Sequence, residues 1–354
     1  MEIIMVSVCI IVKNDEKNLE ECLQRLQPYD LELVVVDTGS TDKSREVARK
    51  YTDCVYEFEW CDDFAKARNF SLSKATNDMV FILDSDELVI NFNRKKVLDL
   101  VKYHSDMIGA IQFDDIKSEK ERVQKRTYRL ERIFNRKLFH YEGRIHEQIV
   151  PLKAGTKVRI QQYPIQVEHH GYDPKVVDVV AKGKRNLDLI QQVLATGQAT
   201  AYDYFQAAQS YCMMNQYEEA IPYYEKALGV LTDTKQQYVH VAVVSYGYAL
   251  LHTGRKKDAL MVQALYEDYK EFGDYLFLLG HIFAENQLFS KAIVTYEAAA
   301  KATKSNISEN DAYLAYYNCG RINEVLGKKI EAISYYKKCL GLPEAKEGLK
   351  RLLG

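Results

Sequence analysis

Four short runs fix what the first half of this chain can fold into: SVCIIVK (7–13), LELVVVD (31–37), CVYEFEW (54–60) and MVFILD (79–84). Three of them are almost continuously apolar and rich in β-branched residues, the signature of strands buried on both faces of a parallel sheet. Between them lie segments with helical spacing. In NLEECLQRLQPY, residues Leu19, Cys22, Leu23 and Leu26 fall on one face. STDKSREVARKY offers Ser40, Thr41 or Asp42 as a helix N-cap, and DFAKARNFSLSKAT follows the third run. Strand–helix alternation of this kind predicts an α/β domain with a mostly parallel sheet, whose ligands bind beyond the carboxyl ends of the strands. Those ends are polar here: Lys13 and Asn14, Asp37, Glu59 to Asp63, then Asp84 and Asp86.

The stretch VFILDSDELV (80–89) runs a buried strand into three carboxylates. Residues i and i+2 of an extended segment share a side, so Asp84 and Asp86 can face one ligand while Ser85 turns away. Two carboxylates that close repel unless a cation joins them, and a hard divalent ion such as Mg²⁺ or Mn²⁺ fits that need. The bland alternative is a solvated acidic turn, which the context of an α/β strand end disfavours. The turn after the first strand, VKNDEKN, holds no glycine, which excludes a dinucleotide fingerprint, and no G-K-[ST] phosphate loop occurs. Sugar-nucleotide chemistry is what remains.

Near residue 172 the character changes, and the rest reads as helix rich in Tyr and Ala. YEEAIPYYEKAL, RKKDALMVQALY, FSKAIVTYEAAA and KIEAISYYKKCL align on Ala220, Ala259, Ala292 and Ala332, spaced by 39, 33 and 40 residues. The large–small–aromatic–Ala–aromatic pattern resembles the tetratricopeptide repeat, clearest in the third copy (Leu279, Gly280, Phe283, Ala292, Tyr296, Ala299). The second copy departs, with Gln263 where an aromatic is expected. Such helix pairs stack into a solenoid that commonly binds peptide or a second subunit, with a plain helical bundle as the alternative. The expected organisation is 1–172 as an α/β domain, 173–198 as a linking helix and 199–354 as repeats.

Residues 6–172 resemble a family 2 glycosyltransferase of the GT-A fold. The matching segments are SVCIIVKNDEKNLEECL, LVVVDTGSTDKSREVARKY, FEWCDDFAKARNFSLSKATNDMVFILDSDE, RIFNRKLFHYEGRIHEQI and VEHHGY. With repeats behind it, the chain resembles the branch that includes the S-glycosyltransferases of glycosylated bacteriocins. The resemblance implies the following roles. Asp37 would bind the uracil ring, beside the turn of Thr38 and Gly39. Asn14, Arg68 and Asn69 would join the donor contacts. Asp86 would bind the metal, and Asp84 the ribose or a metal-bound water. Glu147 of GRIHEQI would be the base that deprotonates the acceptor, with His146 as its rival. A histidine of HHGY would complete the metal site; His170 is preferred over His169, and neighbours on an extended segment cannot both serve. The basic run 117–137 is read as a solvated loop over the donor site, from which Arg129, Arg132 or Arg136 could meet the diphosphate, with Arg136 counted among the donor contacts. Trp60 either covers the donor, lines the acceptor cleft or plugs the sheet edge, and Asp62 and Asp63 are helix caps or more.

The implied function is a metal-dependent, inverting transfer from a nucleotide sugar, UDP-linked by the lean of Asp37, to a peptide or protein side chain (Ser, Thr or Cys). The alternatives are a glycan or lipid-linked acceptor, with the repeats holding partners or forming a homodimer, and a scaffold on an inactive domain. A balance of 48 basic and 50 acidic residues argues against nucleic acid as partner. Seven scattered cysteines without a C-x-x-C fit a reducing compartment such as the cytoplasm. The N-terminus reads as a strand, not a signal peptide, and no apolar run approaches the ~20 residues of a membrane helix.

Overall fold

The computed structural model describes residues 6–119, 122–169, 178–229, 234–302, 304 and 309–354. Two compact units divide it between Asp178 and Val179.

In the first unit the chain runs β1 (Val6–Val12), α1 (Glu16–Leu26), β2 (Glu32–Asp37), α2 (Ser44–Arg49), β3 (Val55–Glu57), α3 (Phe64–Lys74), β4 (Met79–Asp84), β5 (Glu87–Phe92), α4 (Arg94–Tyr103), β6 (Ile108–Glu119), β7 (Arg122–Asn135), β8 (Phe139–Glu142), β9 (Gln148–Pro151) and β10 (Ile160–His169). Eight strands form one sheet in the order β3-β2-β1-β4-β7-β6-β10-β5, and β8 and β9 form a separate hairpin. The first half, β3 to β4, is parallel as expected. The second half is mixed: β7 is antiparallel to β4 and β6, and β5 is antiparallel to β10. The period-2 rule sorts side chains onto two cores. Val6, Val8, Ile10 and Val12 of β1 pack with Leu19, Leu23 and Leu26 of α1, whereas Cys9 packs with Ala65 and Leu72 of α3 on the opposite face.

Two expectations need correction here. The basic run 117–137 is not a solvated loop over the cleft, because most of it pairs as the β6–β7 hairpin. Tyr128, Leu130 and, past a shift in register, Ile133 face the core and gave its second half a strand pattern that its charges obscured. The helix start at 40–42 is also displaced. The helix begins at Ser44, and Asp42 accepts from the Ser44 amide at 3.0 Å.

The second unit runs α5 (Val179–Ala195), α6 (Ala201–Met213), α7 (Tyr217–Gly229), α8 (Gln237–His252), α9 (Lys256–Ala259), α10 (Tyr266–Tyr269), α11 (Gly273–Glu285), α12 (Phe289–Ala299), α13 (Glu309–Val325), α14 (Lys329–Lys337) and α15 (Pro343–Leu353). Helix α5 lies within the second unit and packs against α6. In the last two pairs the small residue admits an aromatic ring from the next helix. A Cβ added at Gly280 would lie 2.8 Å from the Tyr296 ring, and one at Gly320 would lie 2.6 Å from Tyr336. The second pair is irregular, with a 3₁₀ segment (Leu260–Leu265) between α9 and α10. There the Tyr275 hydroxyl donates to the Val262 carbonyl at 2.8 Å, satisfying an acceptor in that segment. No helix among the described residues is long and apolar enough to cross a membrane.

Candidate active site

Strand register builds the site. Val12 lies opposite Asp37, and Ile11 opposite Asp84, so the carboxyl ends of β1, β2 and β4 come together. His169, at the end of β10, lies opposite Glu87 on one neighbour and Asp115 on the other.

The positive charge that answers the carboxylates of DSDE is supplied by two arginines. Arg68, from the middle of α3, is buried. Its Nη2 donates to Asp84 Oδ1 at 2.8 Å and its Nε to Glu147 Oε1 at 2.5 Å. One guanidinium therefore joins the end of β4 to the segment GRIHEQI, 79 residues further along from Arg68. Arg132 of β7 donates to Glu87 Oε1 at 2.7 Å and lies 3.6 Å from Asp84 Oδ2. Burial works against the charge on Asp84, but Arg68 and then Arg132 outweigh it and hold that carboxyl well below the usual carboxylate range. Glu87 behaves differently: burial dominates, Arg132 only partly offsets it, and the carboxyl is pushed up to about 7. Its Oε2 also accepts from the Asp84 amide at 2.9 Å, which fixes the turn after β4.

Asp86 does not share the arginines with Asp84, because Ser85 and Asp86 form a turn between β4 and β5 instead of continuing the strand. Its Oδ2 lies 3.5 Å from His169 Nε2, whose Nδ1 meets Asp115 Oδ1 at 2.7 Å; Tyr128 donates to the same Asp115 oxygen at 2.9 Å. Burial lowers the proton affinity of His169, but its hydrogen bonds to Asp115 and Asp86 prevail and raise the pKa to about 10. The preferred metal ligand His170 lies outside the described residues; its neighbour His169 faces Asp86. Among the described residues no group of three or more His, Cys, Asp or Glu side chains gathers around a common metal position. With its Nε2 proton displaced, His169 could join Asp86 in holding a divalent ion, and 3.5 Å is a span one cation can bridge. Asp84 does not join them, being committed to Arg68 and Arg132.

The remaining predicted residues divide between cleft and scaffold. Buried Asp37 accepts from the Ser40 amide at 2.8 Å and lies 3.1 Å from Arg45 Nε, so its carboxylate shapes the turn that holds Thr38 and Gly39. Thr38 donates to the Val12 carbonyl through both its amide and its hydroxyl. Gly39 has φ +102°, a backbone state that L side chains seldom adopt. Asn14 accepts from the Thr41 amide at 2.7 Å, tying the end of β1 to the same turn. Asn69 is spent on scaffold: both ends of its amide bond the Tyr141 backbone, which pins β8 against α3. Arg136 is misplaced by the sequence reading. It follows β7, which runs antiparallel to β4, and it bonds the Asn77 carbonyl at the amino end of β4, the opposite end from Asp84. Arg132, one strand turn earlier, is the arginine that reaches the cleft.

Glu147 sits on a tight turn with Gly143 at φ +100° and His146 at φ +53°. Among the described residues only its Oε1 is engaged, by Arg68. His146 is half-buried, and its carbonyl accepts from Gln148 Nε2 at 2.9 Å. Sequence reasoning did not assign Glu87, Asp115, Asp15 or Tyr141. Glu87 was visible as the third acid of DSDE, and Asp15 follows the first strand, where its Oδ2 accepts from Ser85 at 2.5 Å. Asp115 and Tyr141 left no local signal. Arg68 Nη1, Arg132 Nε and the Tyr141 hydroxyl are buried donors with no hydrogen-bond partner among the described residues.

A mixed sheet whose parallel half ends in this cluster defines a GT-A-type transferase domain, and the paired helices behind it are of the tetratricopeptide kind. Residues 7–160 match the profile of glycosyl transferase family 2, and residues 204–230 and 313–346 match that of the tetratricopeptide repeat. The chain thus carries a family 2 glycosyltransferase domain followed by tetratricopeptide repeats. The repeat profile matches the first and last of the four copies. Among curated proteins, the chain is 25% identical over 223 residues to the SPbeta prophage-derived glycosyltransferase SunS of Bacillus subtilis, covering 62% of this chain and 52% of that one. It is 30% identical over 174 residues to a TPR repeat-containing protein of Synechococcus elongatus, covering 47% and 42%. It is 32% identical over 111 residues to an uncharacterized glycosyltransferase of Haemophilus influenzae, covering 28% and 44%. The chain spans about half the length of the curated relatives it matches.

Proposed function

We propose that the α/β unit is an inverting glycosyltransferase. It moves a sugar from a uridine-diphosphate donor, with a divalent metal, to a Ser, Thr or Cys side chain of a peptide or protein. The observation that carries this reading is the bridge of Arg68 between Asp84 and Glu147, which sets the donor-side strand end beside the acceptor-side loop. Similarity to SunS supports the peptide acceptor, and the repeats supply a surface of the kind that binds polypeptide or a second copy.

Inversion is a single displacement. The acceptor oxygen or sulfur attacks the anomeric carbon while its proton passes to Glu147, whose Oε2 accepts no hydrogen bond among the described residues. The bond from that carbon to the diphosphate oxygen breaks, and both electrons leave with the diphosphate. Arg68 and Arg132 neutralise Asp84 and offset Glu87, so the strand ends do not repel the incoming phosphates. Asp86 and His169 would hold the metal, which when bound stabilises the charge on the leaving diphosphate. A thiol acceptor, with pKa near ~8.5, demands less of the base than a hydroxyl.

The test is incubation of the full chain with a panel of nucleotide sugars and Mn²⁺, scored by release of the nucleoside diphosphate. UDP-sugar hydrolysis is expected, with loss in Asp86→Ala and on chelation. Turnover that survives both would remove the metal from this reading, and no turnover of any donor would remove the reading itself.

A further inference from the structure

The six residues that join β3 to α3 connect the two sides of the cleft. At the start, the Phe58 amide donates to the Asp37 carbonyl at 2.9 Å; just past the end, the Phe64 amide donates to the Arg144 carbonyl at 2.8 Å, three residues before Glu147. Trp60 stands between these anchors. Its indole N–H donates to Asp62 Oδ1 at 2.8 Å, its ring meets Phe64 edge-on at 4.8 Å, and Asp62 is held at φ +55°. A non-glycine residue in that backbone state stores strain, which is tolerated where the surrounding structure fixes a particular presentation.

Trp60 belongs to none of the buried clusters and is not packed against their rims, so it is not a plug in the sheet core. Its one polar group is already satisfied, so it offers a ligand an apolar face. Exposed Glu59 and Asp62 flank it. Carboxylates there repel phosphate and favour a neutral or basic partner.

We propose that Trp60 is a specificity residue for the acceptor, receiving an apolar side chain of the polypeptide next to the residue that takes the sugar. This rests on the glycosyltransferase reading above.

Trp60 is the only tryptophan of the chain, so the indole emission of the full protein reports this residue alone. Three titrations separate the possibilities: UDP with Mn²⁺; a short peptide with a central Cys or Ser flanked by Leu, Phe and Lys; and the same peptide with Asp in the flanking positions. The first peptide is expected to shift the emission to the blue and to protect it from acrylamide, and UDP and the acidic peptide to do neither. In transfer to the first peptide, Trp60→Ala should raise the acceptor KM about tenfold, with Trp60→Phe close to the parent. An emission response to UDP alone, no response to the first peptide, or an unchanged acceptor KM in Trp60→Ala would overturn the proposal. A protein that turns over no nucleotide sugar yet still shows the peptide-dependent shift would sink the transferase reading and uphold the aromatic surface.

Discussion

Replacing Arg68 by Met keeps the length of the side chain and removes its charge, which isolates the bridge between Asp84 and Glu147. Glu147 then loses its only partner among the described residues, in a side chain that is 11% exposed. Asp84 keeps Arg132 at 3.6 Å and is 33% exposed, so water and the second arginine absorb part of its loss. Removing one partner of a buried ion pair costs about 3–5 kcal/mol, and the residual contacts of Asp84 place this case near ~3 kcal/mol. With a urea m-value of about 2 kcal/mol/M for a unit of this size, the midpoint should fall by roughly 1.5 M. Trp60 provides the assay, because its emission follows the α/β unit without signal from the repeats. Arg68→Lys should fall between Met and parent, since it restores charge without the fork that reaches both carboxylates. A midpoint within about 0.3 M of the parent for Arg68→Met would refute the bridge as a stabilising contact.

Glu147→Gln keeps shape but cannot accept the proton, and transfer should drop by ~10²–10⁴ while donor affinity measured by calorimetry holds; near-normal turnover, with loss in His146→Ala, would give the role to His146. In chelator-treated protein, Glu87 has a folded pKa of about 7 against 4.5 for the free side chain. The folded state therefore binds the extra proton, and the Glu87 contribution to stability should fall as pH rises from 4.5 to 7, by up to about 1.4 kcal/mol per pH unit. Urea midpoints across that window should lose this slope in Glu87→Gln. In the repeats, Gly320→Ala should cost ~1–3 kcal/mol, because the new methyl meets the ring of Tyr336, which is fully buried and bonded to Glu324. Gly229→Ala, with nothing within 4 Å at the end of α7, should instead be neutral or gain up to about 1 kcal/mol; thermal melts of the helical signal would read both.

Local pattern determined much of this protein. The runs 7–13, 31–37 and 79–84 became β1, β2 and β4 because a β-branched apolar run between helical segments has few other ways to bury itself. The alanines at 220, 259, 292 and 332 are all fully buried, since only a small side chain lets paired helices approach. Asp63 was readable as a cap and does accept from the Lys66 amide. Tertiary structure alone decided what each acid does. Asp84 and Asp86 share a side in an idealised strand, yet one meets two arginines and the other a histidine, because those partners arrive on α3, β7 and β10. His169 faces Asp86 through the register of β10 with β5 and β6, which no local spacing encodes. Arg132 and Arg136 look equivalent in sequence, but the antiparallel course of β7 sends one to the cleft and the other to the far end of the strands. Periodicity records which face a residue occupies; only the packing of distant strands fixes which end of the sheet it reaches and which charge it meets.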